Sequence, residues 1–177
     1  MEKSFLIAGF GGQGVMLIGK MLGHSAAYGG KNATFYPSYG PEQRGGTANC
    51  TVVLADEEVG SPVVQQADIV AVMNEPSLAK FADRVKTNGT LIVNKSLVAP
   101  REIRSDIKVV WLPTNEIAAS IGSEKAANMV MLGCCVAESQ VLDIEMAVSA
   151  VSDRMKKDSE ILAKNIDALR KGAAFSA

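Results

Sequence analysis

Histidine occurs once in this chain of 177 residues, at His24, and cysteine three times, at positions 50, 134 and 135. One imidazole and no cysteine cluster assemble no metal site at familiar ligand spacings. The cysteines form neither a C-x-x-C pair nor a disulfide framework, so a reduced, cytoplasmic setting is expected. Aromatic residues make up only 5% of the chain and the formal net charge is −1. That leaves neither a base-stacking surface nor a basic field for nucleic acid. No run reaches the roughly 18 apolar residues of a membrane-spanning helix. The first apolar run starts within a few residues of Met1, which predicts no cleavable leader. The P-loop pattern G-x-x-x-x-G-K-[ST] is missing, as are G-x-S-x-G and any Ser/His/Asp arrangement, so those phosphate-binding and hydrolytic chemistries are excluded. There is no internal repeat and no low-complexity segment.

What is present is glycine in two places. Phe5-Leu6-Ile7-Ala8 leads into Gly9-Phe10-Gly11-Gly12-Gln13-Gly14, and Val15 to Leu22 follows with apolar residues at helical spacing. This predicts a strand, a tight glycine turn and a helix. Gly9, Gly11 and Gly14 meet the G-x-G-x-x-G spacing, which lets a backbone turn sharply and lets a ligand approach it closely. A helix N-terminus in such a turn attracts phosphate or another anion. The alternative is a glycine turn that only packs helix against strand. Gln13 divides the same way: its amide either donates to a phosphate or carbonyl oxygen, or caps local backbone. A nicotinamide site needs an acidic residue about 20 positions beyond the turn. Tyr36-Pro37-Ser38 stand there instead, which demotes that reading.

The second glycine stretch is Pro37 to Gly46, which sets Tyr39, Glu42, Arg44 and Gly45 among prolines and glycines. It is either a plain connector or a rigid platform presenting Glu42 and Arg44, the latter able to fork onto a phosphate or carboxylate. It follows a second predicted strand, Asn32–Tyr36, expected to lie beside the first. Further strands are predicted at 47–54, 68–73, 90–94 and 108–112. Helices are predicted from Asn74 through Val85 to Asn88-Gly89, from Thr114 to Gly122, from Ala126 to Gln140, from Asp143 onward, and from Ser159 to Lys171. With 47% apolar residues, these elements imply one domain over 1–177. Its expected fold is three-layer α/β, a Rossmann-like, mostly parallel sheet with helices on both faces. Cys50 falls on the apolar side of its strand, as a structural thiol. Asn128 is the polar side chain near the buried side of its helix, either a satisfied core amide or a ligand contact.

With both loops in view, Ala8 to Gly14 and Tyr36 to Cys50 together resemble the gamma subunit of 2-oxoacid:ferredoxin oxidoreductases. Gly60-Ser61-Pro62 and Asn128 to Gly133 match the same pattern, so the resemblance covers nearly the whole chain. It is nearest to the 2-oxoglutarate and branched-chain 2-oxoacid enzymes. The resemblance implies oxidative decarboxylation of a 2-oxoacid to an acyl-CoA and CO2, with ferredoxin reduced. It places thiamine diphosphate and iron–sulfur clusters on partner subunits, alpha and beta with delta as a further candidate, and has this chain help form the coenzyme A site. On that reading Gly11, Gly12, Gln13 and Gly14 meet phosphate or pantetheine, Arg44 neutralises phosphate or braces the subunit interface, and Tyr39, Glu42, Gly45 and Asn128 complete the site. The isolated chain is expected to be inactive. A nucleotide- or flavin-binding module and a purely structural assembly subunit are the alternatives.

Overall fold

The computed structural model describes residues 1–39, 47–156 and 158–176. The described residues form six strands and six α-helices, in chain order β1 (Glu2–Phe10), α1 (Val15–Tyr28), β2 (Asn32–Tyr39), β3 (Thr47–Ala55), β4 (Ala67–Val72), α2 (Glu75–Phe81), β5 (Val85–Asn94), β6 (Lys108–Leu112), α3 (Thr114–Ser120), α4 (Ala127–Ser139), α5 (Ile144–Arg154) and α6 (Ser159–Ser176). The sheet order is β2-β3-β1-β4-β5-β6. Neighbours from β1 through β6 are parallel, while β3 is antiparallel to both β1 and β2. β3 is therefore the one reversed strand, and the sheet is mostly parallel as expected.

Strand alternation explains the layers. Phe5 and Ile7 point to one face, Leu6 and Ala8 to the other, and all four are fully buried. The first face lies under α1 and α3 to α6 in the larger core, with Cys50, Val52, Ile92 and Leu112. The second lies under α2 and irregular segments, with Val70, Val72, Leu91 and Val98. A parallel sheet covered on both sides reads as continuous apolar runs, which is why 68–73 and 90–94 were legible as strands.

Two expectations change. β1 and β2 are not neighbours, because β3 lies between them. The 40–46 connection is too short for a parallel crossover, so β2 and β3 pair as a hairpin. β2 also runs past Pro37 to Tyr39, which an edge strand tolerates because the missing N–H faces away from the ladder. The helix expected from Asn74 to Asn88 ends sooner. α2 stops at Phe81, a 3-10 turn covers Ala82–Arg84, and Val85 opens β5 opposite Ala67. Fully buried Val85 does better in the ladder than on a helix, and Asn88 turns the strand with φ 62°.

Cys50, Cys134 and Cys135 are fully buried and free. Burial pushes the Cys50 and Cys134 thiols up to about 12 and Cys135 well above its ordinary value. These are apolar core groups, and the Cys50 thiol donates to the Val15 carbonyl at 3.6 Å. Among the described residues, no helix is long and apolar enough to cross a membrane.

Candidate anion site at the carboxyl edge of the sheet

β1 ends at Phe10 and the chain reverses over four residues into α1. Gly12 has φ 96° and Gly14, the N-cap of α1, has φ 79°. Both are left-handed conformations that β-carbon sterics disfavour. At Gly14 there is a second constraint. A methyl group there would lie 2.9 Å from Asn128 Cβ and nearer still to the Asn128 amide nitrogen. The structure thus presses Asn128, near the start of α4, against the last glycine of the turn. Residues 114 positions apart in sequence meet at one point.

That meeting sets the first turn of α4 beside the N-terminus of α1. α1 has no side-chain cap and no acidic residue in its first turn, and the same holds for α4. The others are provided for: Asn74 caps α2, Asp143 caps α5, Asp158 accepts from the first turn of α6, and α3 carries Glu116 in its first turn. Among the described residues, α1 leaves its positive end without an anionic or capping side chain, whereas α4 continues from a 3-10 turn, Glu124–Ala126, that opens with Glu124. No hydrogen bond ties the Gly11, Gly12 or Gly14 N–H to the described residues, while the Gln13 N–H closes the turn on the Phe10 carbonyl at 3.2 Å. Gly11 and Gly12 are exposed, and Gln13, Gly14 and Asn128 are half-buried.

Gln13 turns inward. Its Oε1 accepts from the Phe10 N–H at 2.7 Å and from Asn74 Nδ2 at 2.8 Å, and its Nε2 donates to the Met73 carbonyl at 3.3 Å. Of the two alternatives for this amide, local capping is what the structure shows. The second loop leaves the sheet beside the turn. Tyr39 pairs with Ala48, and Thr47 pairs with Phe10, the residue that enters the glycine turn. The roots of both loops are therefore side by side at the carboxyl edges of β1 and β2, where open α/β sheets bind ligands. Glu42, Arg44 and Gly45 lie outside the described residues, and Tyr39 is placed as the final residue of β2.

Sequence reasoning missed three residues here. Lys80, exposed on α2, reaches Thr47 Oγ1 at 3.5 Å and puts a cation at the root of the second loop. Nothing in its local sequence signals that. Asn74 and Asn94 follow the apolar runs of β4 and β5, and a carboxamide closing each of two parallel strands was a readable signal.

Fold and site define a class: an α/β domain that offers backbone donors from a glycine turn at a helix start. The pyruvate ferredoxin/flavodoxin oxidoreductase family profile matches residues 4–175, and the chain belongs to that family. The chain is 38% identical to the 2-oxoglutarate synthase subunit KorC of Methanothermobacter marburgensis, over 97% of this chain and 95% of that one. It is also 38% identical to the ketoisovalerate oxidoreductase subunit VorA of Methanothermobacter thermautotrophicus, over 99% of this chain but 36% of that protein, so it spans about a third of that longer relative. Among solved structures, the gamma subunit of a keto/oxoacid ferredoxin oxidoreductase from Geobacter sulfurreducens superposes with a TM-score of 0.85 at 28% identity, covering 98% of both chains. The 2-oxoglutarate:ferredoxin oxidoreductase of Magnetococcus marinus, with 2-oxoglutarate, coenzyme A and succinyl-CoA bound, shares the fold with a TM-score of 0.89 at 23% identity over 31% of its chain.

Proposed function

We propose that this chain is the gamma subunit of a 2-oxoacid:ferredoxin oxidoreductase and that its glycine turn helps hold coenzyme A. The first part rests on likeness to KorC over nearly the full length of both chains. The second rests on one observation, the uncapped N-terminus of α1 at a left-handed glycine turn, with Asn128 of α4 packed against Gly14. Coenzyme A carries a pyrophosphate and a ribose phosphate. Backbone N–H groups at a helix start suit such an anion, and the helix dipole adds to the attraction. Gly11, Gly12 and Gly14 supply N–H donors, Gln13 keeps the turn in shape, and Asn128 lines its α4 side. Lys80 brings positive charge to Thr47, and Tyr39, Glu42, Arg44 and Gly45 are the further residues assigned to coenzyme A.

In this reading the enzyme converts a 2-oxoacid to an acyl-CoA and CO2 and passes electrons to ferredoxin, with 2-oxoglutarate the favoured substrate. Thiamine diphosphate supplies the decarboxylation chemistry and iron–sulfur clusters carry the electrons, both on alpha, beta or delta partners. Cys50, Cys134 and Cys135 are buried and lack the spacing of cluster ligands, which supports that division. This chain's part is to bind and orient the acyl acceptor.

The test is Arg44→Ala in the assembled enzyme. Losing one charged hydrogen bond to phosphate raises KM for coenzyme A by about tenfold or more. KM and turnover both at wild-type values overturn the role of Arg44. Failure of the chain to co-purify with a thiamine-binding subunit overturns the gamma-subunit assignment.

A further inference from the structure

A line of carboxamides runs along the carboxyl edge of the sheet behind the glycine turn. Gln13 Oε1 accepts from Asn74 Nδ2 at 2.8 Å. The Met73 carbonyl, at the end of β4, accepts from Gln13 Nε2 at 3.3 Å and from Asn94 Nδ2 at 3.2 Å. The same Asn94 nitrogen donates to Asn115 Oδ1 at 3.0 Å, at the start of α3, and Asn94 Oδ1 accepts from the Ser96 N–H at 3.1 Å. Asn74 is 3% exposed and Asn94 is fully buried.

Local duties account for only half of these bonds. Asn74 Oδ1 caps α2 by accepting from the Ser77 N–H at 2.9 Å, and Asn94 Oδ1 turns the chain after β5. An aspartate would serve at either place, since its oxygen accepts equally well. What requires an amide is the donating nitrogen. In each residue that nitrogen points back toward Gln13 or the carbonyl that Gln13 also uses. Buried polar networks are stable when every member is satisfied and costly when one is not, so this arrangement has few alternative states.

We propose that Asn74 and Asn94 are positioning residues for the glycine turn, holding Gln13, and through it the Phe10–Gly14 backbone, in one conformation from one and two strands away. Neither need touch the ligand. The inference rests on the proposed coenzyme A site only for its functional consequence; the positioning itself is a property of this chain.

The experiment compares Asn74→Asp and Asn94→Ala with wild type in two readouts. The first is hydrogen exchange of the Phe10 amide, whose acceptor is Gln13 Oε1. The second is KM for coenzyme A against kcat in the assembled enzyme. Asn74→Asp keeps the helix cap and puts an acceptor where the donor to Gln13 stood, which breaks that bond, so it remains informative if Asn94→Ala does not fold. Positioning predicts Phe10 exchange about tenfold faster in Asn74→Asp, with amides in the centre of β1 unchanged and KM raised more than kcat is lowered. Wild-type exchange at Phe10 in Asn74→Asp overturns the proposal, as does acceleration spread evenly across β1. Faster Phe10 exchange with KM unchanged supports positioning and overturns the coenzyme A reading.

Discussion

Replacing Gly14 by alanine adds one methyl group and tests the geometry of the site directly. Two costs follow from the structure. The backbone sits at φ 79°, where an L residue is disfavoured by roughly 1–2 kcal/mol. The new methyl also falls 2.9 Å from Asn128 Cβ, and overpacking of that kind costs roughly 1–3 kcal/mol. Together they predict a loss of about 2–5 kcal/mol. In a chain of this size that lowers Tm by roughly 4–20 °C. The two terms separate in a double-mutant cycle. Asn128→Gly in the Gly14→Ala background removes the collision and leaves the backbone term, so the double variant recovers stability relative to what the two single losses sum to. Urea titration of all four proteins gives the coupling, expected at about 1 kcal/mol or more. Strict additivity refutes the claim that Asn128 packs against Gly14, and a loss below about 0.5 kcal/mol refutes the left-handed turn as well.

The pairing of α4 with α6 offers a second test. A methyl at Gly172 would fall inside the contact radius of the Val130 carbonyl oxygen, and one at Gly133 inside that of Leu169. Since backbone cannot rotate away, Gly172→Ala should cost about 3 kcal/mol or more in a thermal melt, and a neutral result would mean the helices stand further apart. A third concerns acid. Burial works to raise the Asp68 carboxyl, but the Ser4 N–H and hydroxyl and the Lys86 ammonium outweigh it and hold the group below its ordinary value. A lowered folded value means stability that is present above pH ~4 and lost as pH falls through the folded value. Asp68→Asn should flatten that part of the acid-denaturation profile; an unchanged profile would remove Asp68 from the balance.

Much of the fold was readable along the chain because its signals are local. Phe5 to Ala8, Asp68 to Met73 and Lys108 to Leu112 announce strands by continuous apolarity. The Asn74-Glu75-Pro76 cap and the Asp143 cap announce helix starts, and both appear in the structure. The glycine turn was legible because few other residues accept φ 79° and φ 96°. Failures came where a distant partner decides. Val85 looks helical from its neighbours, yet its pairing with Ala67 makes it a strand residue. The β2–β3 hairpin separates two strands that sequence order had placed side by side.

By itself, then, the order of residues determined the elements, the turn and the family, since each depends on near neighbours or on a pattern that survives intact in the sequence. Only tertiary structure decided that Asn128 rests on Gly14, that Gln13 faces inward, and that Asn74 and Asn94 stand behind it. Those contacts join residues dozens of positions apart, and side-chain amides carry no directional preference until a folded sheet presents them with a donor or an acceptor.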